Sequence, residues 1–446
     1  MTYREAVALL SHYRHLGAKF DLHNISLLLQ ALGNPHHHLP FIHIAGTNGK
    51  GSTAAFLHAL LTHLGYRTAL YTSPHLISLR ERIRISHQLI PQETFARHLS
   101  TLHTTAQRLS ITPTFFEILT ALAILYFAEE KPDFIVWETG LGGRLDATNV
   151  VQPLLTCITP IGYDHQDLLG PTLTHIATEK AGIIKPHVPL ILAPQPPEAH
   201  QVLIAKARAL QAPIHEASSL ISQKQPLNPQ PPDYLQPTTL ADHPFHLSLR
   251  GPHQIHNAAV ALQAALLLPL KQNTATRIQA AQQAFASTQW PGRLQLLNPS
   301  PPTFLDGAHN VSATQALAHT WQHTFSLPPA RLIFSALADK DLPALIEPLR
   351  PITAELILVP LPDPRAASIQ TLTQAWHPIT PRLIAPYPEI AARLPTLPPI
   401  PTLITGSLRL VSEVLAHHSS IPADLLAERH LNDLLHPTPP NHKLNH

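Results

Sequence analysis

A glycine-rich segment near the start of the chain has the residues of a phosphate-binding loop. The segment, GTNGKGS at 46–52, follows the apolar run FIHIA at 41–45, which predicts a buried parallel strand, and it opens a predicted helix. Glycines there let backbone N–H groups approach phosphate oxygens, while the Lys50 ammonium reaches the outer phosphates and the Ser52 hydroxyl can ligate magnesium. The spacing departs from GxxxxGK[ST], because Gly51 separates Lys50 from Ser52. A strand–helix turn without a ligand is the alternative interpretation.

Two further polar segments follow apolar runs that predict strands. They are ETGLGGRLDATN at 138–149 and IGYDH at 161–165. Ligands of parallel α/β sheets bind at the carboxyl ends of strands, so all three loops are expected at one edge. Glu138 could hold magnesium there through a hard oxygen ligand. Among 32 histidines, His165 is singled out because it shares that edge. The alternative for Glu138 is a helix cap or a surface residue, and the alternative for His165 is a solvated or structural histidine.

Short apolar runs alternate with helical patterns along most of the chain, which is typical of an α/β protein with a parallel sheet. Strands are predicted at 41–45, 67–71, 134–137, 154–159 and 189–193, and helices at 4–16, 25–32, 52–64, 115–127, 172–183 and 254–268. Residues 211–250 lack this alternation and predict an irregular or antiparallel excursion. After a boundary candidate at 287–293 the pattern restarts, with strands predicted at 303–305, 331–335, 355–359, 382–385 and 402–404.

Composition excludes several classes of protein. The 446 residues are 44% hydrophobic, and 30 Lys and Arg nearly balance 28 Asp and Glu without any basic run, so no nucleic-acid footprint is expected. The single cysteine, Cys157, excludes an intramolecular disulfide and a CxxC metal site. Early charges argue against a signal peptide, and no apolar run suits a membrane span, which predicts a cytoplasmic protein. The triple histidine at 36–38 is interpreted as solvated loop.

Eight motifs occur in a fixed order along the chain. They are GTNGKGS at 46–52, YTSPHL at 71–76, ETGLGGRLDATN at 138–149, IGYDH at 161–165, EKAGIIK at 179–185, HQIHNAAVA at 253–261, WPGR at 290–293 and DGAHN at 306–310. Together they resemble the folylpolyglutamate synthase and dihydrofolate synthase group of the Mur ligase family, from about residue 20 to about residue 415.

This resemblance implies a fold and a domain organisation. The expected fold is α/β, with a P-loop-type parallel-sheet ATP-binding domain and a smaller Rossmann-like α/β C-terminal domain. Residues 1–289 would be the Mur-ligase-type central ATPase domain, 290–430 the C-terminal glutamate-ligase domain, and 431–446 a disordered tail.

The resemblance also implies an activity. The enzyme would be an ATP-dependent ligase that adds L-glutamate to dihydropteroate, to the terminal glutamate of a folate, or to both. The reaction passes through an acyl phosphate and yields an amide, ADP and phosphate. The enzyme is expected to act as a monomer on these small molecules, without nucleic-acid or membrane partners, and to use two magnesium ions.

Site residues follow from the positions that match the family's motifs. Those expected at ATP are Thr47, Asn48, Gly49, Lys50, Gly51, Ser52, Asn257, Arg293 and Asp306. Those expected at magnesium are Ser73, Glu138, His165 and Lys180, the last as a carbamate. Catalysis is assigned to Lys50, Lys180 and His309, and the segment of Phe115, Phe116 and Glu117 would lie near the pterin-bearing substrate.

Two other functions compete with this one. A Mur ligase that extends a UDP-linked peptidoglycan precursor shares the superfamily, but GTNGKGS and DGAHN count against it. A P-loop ATPase of another class would leave WPGR, DGAHN and the second α/β region unexplained.

Overall fold

The structure is a computed structural model that describes residues 1–14, 21–222, 228–418, 428 and 431. Its first sheet has eight strands: β1 (Phe41–Ala45), β2 (Thr68–Tyr71), β3 (Ile83–Ile85), β4 (Gln88–Leu89), β5 (Phe134–Glu138), β6 (Leu155–Ile158), β7 (Leu190–Leu192) and β8 (Ile214–Glu216). Their spatial order is β4-β3-β2-β5-β1-β6-β7-β8, with β3 antiparallel to both β2 and β4 and every other neighbouring pair parallel. The carboxyl ends of β1, β5 and β6 therefore lie side by side.

Helices cover both faces of this sheet. They are α1 (Tyr3–Arg14), α2 (His23–Ala31), α3 (Lys50–His63), α4 (Gln92–Arg108), α5 (Phe115–Glu130), α6 (Gln166–Leu169), α7 (Leu173–Lys180), α8 (Pro197–Ala209), α9 (Pro252–Leu267) and α10 (Thr274–Ser287). One apolar core joins α3, α9 and α10 to the sheet, and another joins α1, α2, α4 and α5 to it. Because both faces are covered, the strands β1, β2, β5 and β6 are apolar runs that are buried throughout.

The second sheet has six strands: β11 (Gln295–Pro299), β12 (Pro302–Leu305), β13 (Ala330–Phe334), β14 (Thr353–Leu358), β15 (Leu383–Ile384) and β16 (Thr402–Thr405). Their order is β11-β12-β16-β13-β14-β15, with β11 antiparallel and the others parallel. Its helices are α11 (Val311–His319), α12 (Leu342–Ile346), α13 (Ile369–Trp376), α14 (Tyr387–Arg393) and α15 (Leu408–His418). In the described part of the chain, no helix is both long and apolar enough to cross a membrane.

The α/β class and every strand predicted from the sequence are confirmed, within a residue or two at the ends. The stretch 211–250 supplies the parallel edge strand β8 and an antiparallel hairpin of β9 (Gln236–Leu240) and β10 (His243–Leu247). The interpretation of the triple histidine as solvated loop is wrong for His36, which is buried in a 3₁₀ turn. The predicted tail 431–446 lies outside the described residues except for Leu431, which is buried.

Candidate active site

A cavity of about 450 Å³ lies between the carboxyl ends of the first sheet's strands and the second sheet. Every residue that the sequence assigned to ATP, magnesium or catalysis lines it: Thr47, Asn48, Gly49, Lys50, Gly51, Ser52, Ser73, Glu138, His165, Lys180, Asn257, Arg293, Asp306 and His309. The candidate residues predicted at the carboxyl ends of the strands therefore lie together, and the second sheet forms the opposite wall of the cavity.

The glycine-rich loop connects β1 to α3, as predicted. Gly49 has a φ of 87°, and a Cβ built there would lie 2.3 Å from the Asn257 Oδ1 atom. Only glycine fits both the backbone conformation and this close approach. The Asn257 amide is itself held by the Gln254 side chain at 2.8 Å. The loop is thus packed against α9, with the first-turn N–H groups of α3 at the cavity wall.

Two residues of this loop are tied to the segment after β6. The N–H groups of Thr47 and Asn48 donate to the Pro160 carbonyl oxygen at 3.1 and 3.3 Å. The Thr47 hydroxyl donates to the Gly162 carbonyl oxygen and accepts from the Gly162 N–H, each at 3.1 Å. These contacts hold the position of the loop, so the donors that remain for a phosphate come from the following residues.

Two lysine side chains meet at the loop. The Lys50 Nζ atom donates to the Gly46 carbonyl oxygen at 3.1 Å and to that of Thr47 at 3.3 Å, and the Lys180 Nζ atom donates to Gly46 at 2.7 Å. Burial, with a smaller contribution from the Lys50 charge, lowers the pKa of Lys180 to about 7. Neither lysine belongs to an ion pair within the described ranges. Two ammonium groups that share one carbonyl oxygen form a site suited to anions.

Lys180 is the last residue of α7, against which the loop after β5 packs. The Asp146 carboxylate folds that loop by accepting the N–H groups of Leu141 at 2.7 Å and Thr148 at 3.0 Å. The loop then packs on the end of α7 so closely that a Cβ on Gly182 would lie 2.3 Å from the Arg144 Cα atom. This contact explains why the GLGGR and EKAG motifs occur together.

Glu138, the last residue of β5, is the buried carboxylate of the site. Its Oε2 atom accepts the Ser73 N–H at 3.0 Å. Burial raises the pKa of Glu138 to about 7, although the Lys50, Arg293 and Arg82 charges act in the opposite direction. The carboxylate therefore sits where a cation would stabilise its ionised form.

Magnesium fits this set of donors. No three His, Cys, Asp or Glu side chains converge as a metal site in the ranges that the structure covers. A site of Ser73, Glu138 and His165 has only one carboxylate, but magnesium commonly takes one or two carboxylates together with substrate phosphates and water. Burial lowers the pKa of His165 to about 4, which keeps its imidazole neutral and able to act as a ligand.

The second sheet contributes Arg293, Asp306 and His309. The two Asp306 oxygens accept the N–H groups of Leu294 and Ala308, both at 2.8 Å, so this side chain fixes the two loops that carry its neighbours. The His309 Nδ1–H donates to the Gly307 carbonyl oxygen at 2.7 Å, which leaves the Nε2 atom for other partners.

The segment expected near the pterin-bearing substrate divides into two parts. Phe115 and Phe116 line the cavity. Glu117 does not line it, because its carboxylate accepts the Thr114 N–H at 2.7 Å while the Thr114 hydroxyl accepts the Glu117 N–H at 3.2 Å. This is a capping box, and it places the two phenylalanines on the first turn of α5.

Several polar residues of the cavity were not predicted from the sequence: Arg82, Lys340, Arg365, Ser407 and Arg409. Asp164 belongs to the IGYDH segment that was predicted at this edge, but no separate role was predicted for it. Asp164 contacts residues that follow strands of the second sheet. Its carboxylate accepts the Asn310 side-chain N–H at 3.1 Å and lies 3.5 Å from the Lys340 Nζ atom. Asn310 also donates to the Asn48 Oδ1 atom at 3.1 Å. The segments after β13 and β16 could have been found by applying the strand-end rule to the second half of the sequence.

Comparisons with known proteins agree with this architecture. The family model for the Mur ligase middle domain matches residues 44–265. Dihydrofolate synthase/folylpolyglutamate synthase of Bacillus subtilis is 38% identical over 84% of this chain and 88% of that protein. Folylpolyglutamate synthase of Lacticaseibacillus casei is 34% identical over 93% of this chain and 98% of that protein.

Solved structures of related enzymes are similar to this one over most of the chain. Mycobacterium tuberculosis folylpolyglutamate synthase complexed with ADP and AMPPCP superposes with a TM-score of 0.83 and 30% identity, covering 94% of this chain and 100% of that one. Escherichia coli FolC in complex with DHPP and ADP has a TM-score of 0.80 and 28% identity, covering 92% and 96%. The chain therefore belongs to the folylpolyglutamate synthase and dihydrofolate synthase family of ATP-dependent ligases.

Proposed function

We propose that this enzyme joins the amine of L-glutamate to a carboxylate of dihydropteroate and of tetrahydrofolate, with ATP as the phosphoryl donor. The observation that carries the proposal is the single cavity in which the glycine-rich loop with Lys50 faces Arg293 and His309 from the second sheet. A site that only bound ATP would not need residues from the second sheet. A site that must first activate one substrate and then admit another does need them.

The chemistry explains the charges of the cavity. A carboxylate is a poor electrophile, so its oxygen first attacks the γ-phosphorus of ATP, giving an acyl phosphate and ADP. The glutamate amine then attacks the acyl carbon, the amide C–N bond forms, and phosphate leaves. Phosphoryl transfer depends mainly on positioning and on stabilising the phosphate charge. Lys50 supplies a cation on one side, and Arg293 supplies one on the other.

Ser73, Glu138 and His165 would hold a magnesium ion that, when bound, neutralises the phosphate charge. A second magnesium would need an anionic oxygen close to the loop. The neutral Lys180 amine can attack carbon dioxide, which forms a carbamate and releases a proton. This step would place an anion beside the Lys50 ammonium at the Gly46 carbonyl oxygen, and no carboxylate forms an ion pair with Lys180 in the described residues.

The remaining assignments extend this proposal. Residues 1–289 would bind ATP, and 290–430 would complete the site and admit glutamate. The contacts from Asp164 and Asn48 to the second sheet's side support closure around the substrates, which keeps water from the acyl phosphate. We infer that the enzyme works as a monomer on small molecules, in the cytoplasm, where ATP is available.

A coupled assay of ADP release tests the function. The purified enzyme is given ATP, magnesium and glutamate with dihydropteroate, tetrahydrofolate or a UDP-linked peptide precursor in turn. We expect release to require glutamate and to respond to both pteridine substrates. Release that responds only to the UDP compound would favour a Mur ligase of peptidoglycan synthesis. Release that is indifferent to glutamate would exclude both ligases.

A further inference from the structure

The loop between β2 and β3, residues 72–82, connects the cavity to a distant part of the chain. Its inner residues Ser73, Pro74 and Arg82 line the cavity. On its other side, the Glu428 Oε2 atom accepts the Ser78 hydroxyl at 2.7 Å and the Leu79 N–H at 2.8 Å. Glu428 is only 1% exposed. A buried carboxylate that accepts two hydrogen bonds is therefore the anchor of this loop.

A second contact leads from Glu428 into the cavity wall. The His75 ring nitrogen Nε2 lies 3.0 Å from the Glu428 carbonyl oxygen, and the Arg82 Nε–H donates to the His75 Nδ1 atom at 2.9 Å. Because a guanidinium nitrogen can only donate, Nδ1 is the acceptor and Nε2 carries the proton that Glu428 accepts. The Arg82 guanidinium then lies over the Phe115 ring, 5.6 Å from its centroid.

The same loop is also held by hydrogen bonds within itself. Its local fold and its attachment to Glu428 therefore depend on different contacts. The Glu81 carboxylate accepts the N–H groups of Leu76, Ile77 and Ser78 at 2.8 to 3.0 Å. The Ser73 N–H is held independently by Glu138. Loss of the Glu428 carboxylate would detach the backbone of that residue from the loop, and with it the carbonyl oxygen that positions His75. Arg82 and the middle of the loop would therefore be released more than the end that carries Ser73.

We propose that Glu428 is a positioning residue for the pteridine-bearing substrate. Through the β2–β3 loop and His75 it holds the Arg82 guanidinium at the cavity wall beside Phe115, where a planar cation suits a carboxylate of that substrate. This inference rests on the proposed function, because it takes a pteridine acid as the substrate.

Steady-state kinetics of Glu428→Ala, Glu428→Gln and the exposed control Glu347→Ala test the proposal. We expect Glu428→Ala to raise the KM for tetrahydrofolate about tenfold, while kcat and the KM for ATP change less than about twofold. Glu428→Gln keeps one acceptor oxygen and should recover part of the loss, and Glu347→Ala should match the wild type. An unchanged KM, or equal effects on tetrahydrofolate and ATP, would overturn the proposal.

A double variant that combines Glu428→Ala with Arg82→Lys tests whether Glu428 acts through Arg82. If Glu428 acts through Arg82, the double variant should lose little more than Arg82→Lys alone. Additive losses would exclude this route.

Hydrogen exchange measured by mass spectrometry tests the anchor without any turnover. Glu428→Ala should accelerate exchange in peptides that cover 76–81, and leave peptides of β13 unchanged. Unchanged exchange at 76–81 overturns the anchor itself. Exchange could be faster in Glu428→Ala while the wild-type enzyme does not use tetrahydrofolate. That result would reject the proposed function but would leave Glu428 as the anchor of the loop.

Discussion

Asp164 provides a sharp test of how the two sides of the cavity work together. It accepts the Asn310 amide at 3.1 Å and lies 3.5 Å from the Lys340 Nζ atom, and the Lys340 side chain is only 16% exposed. Burial raises the pKa of Asp164, but the Lys340 charge, the Asn310 hydrogen bond and, in their protonated forms, His165 and His309 outweigh it, so the pKa is lowered. The carboxylate is therefore ionised at neutral pH and partners a largely buried cation.

Asp164→Asn preserves the shape of the side chain and its acceptor for Asn310, but it removes the charge opposite Lys340. A hydrogen bond to a charged group contributes about 1.5–3 kcal/mol of free energy. Asp164→Asn should lose part of this contribution, because the Lys340 ammonium stays largely buried. At 1.4 kcal/mol for each factor of ten, a loss of about 1–2 kcal/mol corresponds to roughly 5- to 30-fold in kcat/KM. We expect this loss with glutamate as the varied substrate.

The coupled ADP assay measures the effect, and isothermal titration of ADP measures nucleotide affinity separately. Asp167→Asn, three residues away and exposed on α6, is the matched control. We expect Asp164→Asn to bind ADP like the wild type, because the nucleotide loop keeps its contacts with Pro160 and Gly162. A kcat/KM equal to that of the control would refute the role of this contact in joining the two sides.

Three further predictions concern the centre of the site. Lys50→Ala should abolish ADP release because the loop loses its phosphate-facing cation, and retained wild-type turnover would remove the loop from the mechanism. Lys180→Ala should be inactive but partly restored by a short carboxylic acid in place of the carbamate, whereas full activity without the acid would contradict the carbamate. Burial raises the pKa of Glu138 to about 7, so without ligands this residue's contribution to the unfolding free energy should fall by up to about 3 kcal/mol as pH rises from about 4.5 to 7. Denaturant titrations of the wild type and of Glu138→Gln side by side measure this contribution, because the other titrating groups are shared. A difference in unfolding free energy that does not change with pH would contradict the burial of an ionisable carboxylate.

The sequence allowed the parts of the fold with strong local signals to be predicted. The run FIHIA is β1, residue for residue, because a strand buried on both faces is mostly apolar, and its one polar side chain, His43, pairs with the Thr148 hydroxyl at 3.0 Å. The glycines at 49 and 182 were found for a related reason, since close backbone contacts exclude a side chain there. The strand-end rule then brought Glu138 and His165 to one cavity, and the family resemblance added Lys180, the last residue of α7.

Contacts between distant segments could not be predicted in this way. The approach of Lys340 to Asp164 depends on how the second sheet packs against the first, which no local pattern records. Asp306 lines the cavity as expected, yet its oxygens are occupied by two backbone N–H groups, and only the loop geometry reveals this. Glu428 resembles any surface glutamate in sequence, and its burial against Ser78 depends on the tertiary structure.

The central claim is that ATP cleavage here is coupled to formation of a glutamyl amide. Its most direct test is mass spectrometry of the pteridine product beside a count of ADP, with wild-type enzyme, ATP, magnesium, L-glutamate and tetrahydrofolate or dihydropteroate. We expect the acceptor to gain one glutamyl residue for each ADP released, and Lys50→Ala to give neither product. ADP formed without any gain in the mass of the acceptor would contradict the central claim.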